Sequence, residues 1–307
     1  MQPQTACLRP TDPCYADAPF CWRTAVPVTF APRATAWVAS LHVYPVKSLA
    51  AVECESVAVE PRGLADDRQW VVCTPDGRFL TQRDHPEMAT IGACVTKGGL
   101  RLSCGGATIA VDRPGPDAPR LPVKIWRDRV VCRRAGAEAA AWLSARLGVA
   151  CLLAHQFDAG SRQADPAFAP ADTPVSLADG FPVLLANMAS ARDLEARIGA
   201  LTPMSRFRAN IVIEGLEAWD EDAWRRVAIG PAVLRVVKPC SRCVVTTVDQ
   251  TTGQRSDPRE PLRTLATFRK GRKGVMFGQN AVAETLGCIR LGDPVRVLER
   301  GPSNLYL

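Results

Sequence analysis

The residues best equipped for chemistry lie in one run, Val237-Lys238-Pro239-Cys240-Ser241-Arg242-Cys243-Val244-Val245-Thr246-Thr247-Val248-Asp249, which sets two thiols and a guanidinium where a strand meets a turn. It offers a soft ligand beside an anion-binding group. A Cys-x-x-Cys pair has four readings: half of a zinc site, a redox dithiol, two structural cysteines, or one thiolate bound to a soft metal centre. Zinc needs four ligands, yet the chain has no second C-x2-C and no H-x3-5-H pair, and His42, His85 and His155 are isolated. A redox dithiol is normally activated at a helix N-terminus. Here the β-branched residues from Val244 to Val248 predict a strand instead. The pattern by itself leaves all four readings open.

The elements that must position this run are mostly strands. From Thr35 to about His155 the chain alternates short apolar segments with turns: Trp37 to Val46, Ser56 to Glu60, Gln69 to Thr74 with the turn Pro75-Asp76-Gly77-Arg78, then Met88 to Val95, Leu100 to Cys104, Thr108 to Val111 and Val123 to Cys132. Spacing this close predicts a barrel or a strongly curved sheet. One helix interrupts it at Ala137 to Leu147, with Ala140, Leu143 and Leu147 on one stripe. Gln156 to Ala178, rich in Pro, Ala, Asp and Ser, reads as a long loop of the kind that is functional or joins domains. Beyond it come a helix at Ala189 to Ile198, strands at Ala209 to Glu214, Val233 to Val237 and Val244 to Val248, a helix opened by Pro261, and a last strand at Val295 to Leu298.

Bulk properties set limits on function. A chain of 307 residues with 47% hydrophobic content is long enough for two domains with real cores. No apolar run of about 18 residues occurs, so no transmembrane helix is expected, and the start lacks the pattern of a secretory signal. The twelve cysteines are scattered, several inside apolar strands such as the one holding Cys73 and the one holding Cys132. Buried free thiols in a reducing, cytoplasmic setting fit that scatter better than a disulfide framework. The net charge of +7 is spread out, without basic blocks, which argues against nucleic-acid binding and allows local use on one phosphorylated cofactor.

Five motifs in order then carry a resemblance: Tyr44-Pro45-Val46-Lys47-Ser48, Asp67-Arg68-Gln69-Trp70, Arg206-Phe207-Arg208-Ala209-Asn210-Ile211-Val212-Ile213, Lys238 to Asp249, and Phe277-Gly278-Gln279-Asn280. Together, over about residues 36 to 299, the chain resembles the MOSC family, in the branch with an N-terminal MOSC β-barrel that includes the mitochondrial amidoxime reducing components and bacterial relatives. The resemblance implies a mainly β fold, a MOSC β-barrel domain plus an N-terminal MOSC β-barrel-like domain, with a few peripheral helices. The division expected is an extension at 1–33, the N-terminal domain at 34–155, a linker at 156–178, the MOSC domain at 179–300 and a tail at 301–307.

The resemblance further implies a molybdenum cofactor, a molybdopterin with a terminal phosphate, whose metal is bound by Cys243 as the catalytic ligand, with Cys240 either structural or placed just behind that ligand. Lys47, Ser48, Arg68, Arg208, Ser241 and Arg242 match family positions that hold the cofactor. Gly180 and Phe181 are expected to contribute backbone contacts only, because Asp179 beside them would repel phosphate, and Asn280 stands where some relatives have Tyr. His85 reads as a surface residue and Asp249 as turn chemistry. The implied activity is reductive cleavage of N–O bonds in small N-hydroxylated substrates, a detoxification chemistry. No ferredoxin-like C-x4-C-x2-C spacing occurs, so an iron–sulfur cluster is not expected in the chain. Electrons would come from a separate iron–sulfur, flavin or cytochrome protein. The alternative is a non-catalytic cofactor carrier or sulfur-transfer module.

Overall fold

The computed structural model describes residues 36–306; the expected extension at 1–33, with Cys7, Cys14 and Cys21, lies outside them. The architecture is mainly β, with helices among the described residues only at Ala137–Leu147, Met188–Ile198 and Leu262–Phe268 besides short 3-10 turns. No helix among the described residues is long and apolar enough to cross a membrane.

The largest sheet has nine strands. From one edge it runs Val295–Arg300, Trp224–Ile229, Ala232–Ser241, Gly274–Thr285, Val183–Asn187, Ile211–Glu214, Trp37–Val43 and Val52–Glu53, with Lys270–Gly271 pairing on Gly274–Thr285. Its neighbours pair antiparallel except Val183–Asn187 with Ile211–Glu214, which run parallel. A parallel pair needs a crossover, and the Met188–Ile198 helix supplies it, started by Asn187, whose side chain accepts from the Ala189 N–H at 3.0 Å.

Two strands from the start of the chain pair with strands of its second half. Trp37–Val43 pairs with Ile211–Glu214, and Ser56–Glu60 pairs with Gly287–Arg290. Their inward residues Val38, Leu41, Val57 and Val59 share one core with Leu185, Ile213, Trp224 and Leu234. The start of the chain thus completes the second half. The first half proper consists of a five-stranded sheet, Arg120–Ile125, Asp128–Arg134, Leu152–His155, Trp70–Cys73 and Val46–Lys47, and a three-stranded meander from Gly92 to Asp112. The Ala137–Leu147 helix closes its core with Ala139, Leu143 and Leu147; Ala139 replaces the expected Ala140 on the buried stripe.

Three expected strands are corrected. Val123 to Cys132 is a hairpin of two strands that turns after Ile125, where Trp126 adopts a left-handed backbone, φ 55°. No Gly, Asn or Pro announces that turn. Met88 to Val95 begins with a 3-10 turn at Pro86–Thr90, with Pro in its first turn, and only Gly92–Thr96 is a strand. Val244 to Val248 is not a strand, because Val244–Thr247 forms a 3-10 turn. Its two threonines explain the difference: Thr246 Oγ donates to the Cys243 carbonyl at 2.9 Å and Thr247 Oγ to the Val244 carbonyl at 2.8 Å, fastening the backbone into a turn that β-branched residues would otherwise resist. Eight described cysteines, including Cys73, Cys132, Cys240 and Cys243, are free thiols; Cys288 is disulfide-bonded.

Candidate functional site

The two halves meet around a cavity of about 230 Å³. Lys47, Ser48, Arg68, Gly180, Phe181, Arg208, Ser241, Arg242, Cys243 and Asn280, all singled out from sequence, line it together. So do Arg83, Asp179, Lys238, Cys240, Phe207 and Asn210. Six cationic side chains, Lys47, Arg68, Arg83, Arg208, Lys238 and Arg242, therefore face one carboxylate.

The backbone delivers these groups at some cost in strain. Ser48, Arg68 and Arg208 have left-handed φ values of 69°, 48° and 54°, a conformation costing an L-residue of order 1–3 kcal/mol and typical of functional sites. Local bonds hold it in place: the Arg68 N–H donates to the Tyr44 carbonyl at 2.8 Å, and the Leu177 N–H donates to the Arg68 carbonyl at 2.9 Å. The Tyr44 ring carries both arginines, each guanidinium carbon 4.2 Å from its centroid. Arg68 donates to Asp67 at 2.6 Å, to Asn210 Oδ1 at 3.0 Å and to the Arg208 carbonyl at 3.1 Å. Its fork is held by protein, leaving its charge for the cavity.

Arg208 is different. Its Nη1 donates to Gln250 Oε1 at 3.0 Å, but its Nη2, buried in a residue only 9% exposed, has no partner. Burial, with the Arg68 charge behind it, pushes the Arg208 guanidinium down to about 10, still charged at neutral pH. A buried, charged donor without an acceptor is costly. It is what an anion in the cavity would satisfy.

Asp179 does not act as a bare repulsive charge. Its carboxylate pairs with Lys47 Nζ, accepts from Trp126 Nε1 at 3.1 Å and lies 4.0 Å from Arg83 Nη2. Its side chain is exposed, and Lys47, by charge and hydrogen bond, then Arg83 and the Trp126 N–H hold the carboxyl well below the usual range. Burial lowers the Lys47 ammonium from its ordinary value, with Asp179 opposing.

The two thiols are held differently. Cys240 Sγ accepts from Arg242 Nη1 at 2.8 Å while Arg242 Nη2 donates to the Phe207 carbonyl at 2.7 Å. Cys243 Sγ accepts from Arg83 Nη2 at 3.1 Å. Ser241 Oγ donates to the Lys273 carbonyl at 2.9 Å, and Asn280 Nδ2 to the Pro239 carbonyl at 3.3 Å. A side chain added at Gly180 would meet nothing within 4 Å. His85 lies outside the cavity lining, its Nδ1 3.1 Å from Glu87 Oε1. Asp249 accepts from the Thr251 and Thr252 N–H groups at 3.0 and 2.9 Å, the expected turn.

Among the described residues no group of three or more His, Cys, Asp or Glu side chains is placed to hold a metal ion. Two soft sulfurs, Cys240 and Cys243, surrounded by cations are a poor cage for a bare divalent metal and a good one for a metal carried on an anionic organic ligand. With the unpartnered Arg208 N–H, this donor set suits a phosphorylated dithiolene cofactor. Arg83 gives no local signal in the sequence, since it sits in an irregular loop. Lys238 and Asn210 stand inside motifs already recognised, but nothing in their spacing says which way they point.

Two family models match, the MOSC N-terminal beta barrel domain over residues 35–150 and the MOSC domain over residues 172–296. Mitochondrial amidoxime-reducing component 1 of Mus musculus is 34% identical over 281 residues, covering 85% of this chain and 82% of that protein. This chain belongs to the MOSC family. Other similar proteins are mitochondrial amidoxime-reducing component 1 of Homo sapiens, 32% identical over 290 residues with 85% and 82% coverage, and the molybdenum cofactor sulfurase of Danio rerio. The sulfurase is 34% identical over 263 residues, which is 78% of this chain but 31% of that longer protein. In MOSC terms, the cavity takes Cys243, Arg208 and Asn280 from the segment matched by the MOSC domain, and Lys47, Arg68 and Arg83 from the segment matched by the N-terminal barrel.

Proposed function

We propose that this chain is a molybdenum-cofactor-dependent reductase of N-hydroxylated and N-oxygenated compounds, among them amidoximes, hydroxylamines and N-hydroxylated base analogues, serving detoxification with electrons from a separate donor protein. Its broader class, a molybdenum-dependent oxidoreductase, follows from MOSC membership with amidoxime-reducing components as relatives. The observation that carries the reading is the convergence, around one cavity, of the two part-exposed sulfurs of the Cys-x-x-Cys run, six cations from both halves and a buried guanidinium N–H without an acceptor.

When bound, the cofactor supplies the two-electron chemistry that breaks an N–O bond. The chain does the rest. Cys243 offers the metal a soft sulfur. Lys47, Arg68 and Arg208 hold the phosphate and pterin, Arg208 through its unpartnered Nη2. Ser48, Ser241, Asn280 and the backbone of Gly180 and Phe181 contribute neutral contacts. Arg242, through its bonds to Cys240 and Phe207, fixes the loop that presents Cys243. The donor protein is of iron–sulfur, flavin or cytochrome type. We assign a cytoplasmic, reducing compartment because eight of the nine described cysteines are free thiols, the disulfide at Cys288 being the feature that counts against it.

The test combines metal analysis with reduction of benzamidoxime or an N-hydroxylated purine by chemically reduced protein. The expected result is bound molybdenum and substrate turned over. Molybdenum that passes to an acceptor protein with no substrate consumed would instead support a carrier or sulfur-transfer module, a role suggested by the stretch shared with the sulfurase. Turnover on NADH alone would remove the separate donor.

A further inference from the structure

We propose that Arg83 is the residue that positions the Cys243 sulfur for its ligand role, with Asp179 as the carboxylate that aims it. The proposal deepens the reading above and rests on it. Arg83 lies outside every motif that pointed to the family, and it reaches across from the first half.

The contact has a fixed direction. A guanidinium carries only donors, so at 3.1 Å the Cys243 sulfur is the acceptor from Arg83 Nη2. The guanidinium is anchored at three further points: its carbon is 4.5 Å from the Trp126 ring centroid, its Nη2 4.0 Å from Asp179 Oδ2 and its Nη1 3.4 Å from Thr81 Oγ. Its backbone is clasped as well, because Arg255 Nη2 donates to the Gln82 and Arg83 carbonyls, both at 2.8 Å. Arg255 belongs to the loop that follows the Cys243 turn. The second half therefore grips the segment whose side chain grips its own sulfur.

The two thiols are thus distinguished by their arginines. Cys240 is held by Arg242, two residues away and tied to the Phe207 carbonyl within the same half. Cys243 is held by Arg83 from the opposite half, so its orientation depends on the halves being docked. Asp179 gives this contact its aim, since one carboxylate faces both Lys47 and Arg83. A charged donor on a metal-bound sulfur withdraws electron density from it, and partners of this kind tune both retention and electronic structure of the metal.

The experiment compares full-length wild type, Arg83→Met, Arg83→Lys and Asp179→Asn, produced with cofactor supply, for molybdenum per chain and for the paramagnetic molybdenum signal of partly reduced protein. Urea denaturation reports folding. Arg83→Met is expected to lose about tenfold or more in molybdenum retention while unfolding at the wild-type urea concentration. Arg83→Lys and Asp179→Asn are expected to keep metal with a shifted signal. Wild-type molybdenum content with an unshifted signal in Arg83→Met overturns the proposal; if that variant does not fold, an unshifted signal in Arg83→Lys does so. A wild-type chain that holds molybdenum but leaves amidoximes intact would remove the reductase reading and leave the Arg83 comparison standing. A wild-type chain without molybdenum overturns both.

Discussion

At the scale of single residues, the site separates side chains engaged in building it from those left open to a ligand. Arg68 and Arg242 have both ends of their forks engaged by protein, with only the Nε of Arg242 left without an acceptor, whereas Arg208 keeps a terminal Nη2 free. Replacing Arg208 with Met should therefore cost retention more than binding geometry: we expect molybdenum per chain to fall about tenfold, measured after gel filtration, with little loss of stability because the orphaned donor leaves with the side chain. The cysteines divide in the same way. Cys243→Ala should abolish molybdenum binding, while Cys240→Ala, which removes an acceptor for Arg242 and a weak donor to the Ser241 carbonyl, should keep most of it. Equal loss in both would point to a two-sulfur site, and loss in Cys240→Ala alone would reverse the ligand assignment.

At the scale of elements, the motifs were legible because each marks a place where the backbone itself is unusual. Gly278 illustrates this: its φ is 72°, and a Cβ there would stand 2.7 Å from the Leu185 carbonyl oxygen. Gly278→Ala should lower the unfolding free energy by about 1–2 kcal/mol from handedness alone, more if the strand cannot yield, as read from urea denaturation. What escaped sequence reading carries no signal in its residue types. The hairpin at Trp126 turns on a residue type that seldom does so, the Val244 turn depends on two threonine hydroxyls, and Arg83 is set by a clasp from residues some 170 positions away in sequence. The long loop at 156–178 was recognised as a loop, but not the device that orders it. Arg162, only 5% exposed, donates to Asp128 at 2.7 Å and to the carbonyls of Ser176, Ala178 and Asp179. Arg162→Met should cost about 2–3 kcal/mol and release the segment carrying Asp179, a change that faster proteolysis within 156–178 would report.

At the scale of the whole molecule, two buried ionisable groups set opposite slopes on stability against pH. His155 lies against Trp70 with ring centroids 4.6 Å apart and neither ring nitrogen partnered. Burial, then the charges of Arg113, Arg62 and Arg133, lower its pKa from 6.5 to about 3. Below pH 6.5 the unfolded chain takes up a proton that the folded chain refuses, so stability falls as pH drops from 6.5 toward 3. Glu221 is fully buried, with Oε2 accepting from Ser190 at 2.9 Å and Asn187 at 3.0 Å and Oε1 unpartnered. Burial raises its carboxyl from 4.5 to about 7, against the Ser190 and Asn187 hydrogen bonds. Between those values the folded chain keeps a proton that the unfolded chain has lost, so stability falls as pH rises from 4.5 through 7. The two substitutions that remove these groups must then act at opposite ends of the range. His155→Phe, which keeps an aromatic surface against Trp70, should raise Tm relative to wild type more at pH 5 than at pH 8. Glu221→Gln should do the reverse. Thermal unfolding of the three proteins across pH 4.5 to 8.5 decides it: parallel curves would mean that neither group titrates on unfolding, and crossed curves of the opposite sense would reverse the protonation states assigned to the two cores.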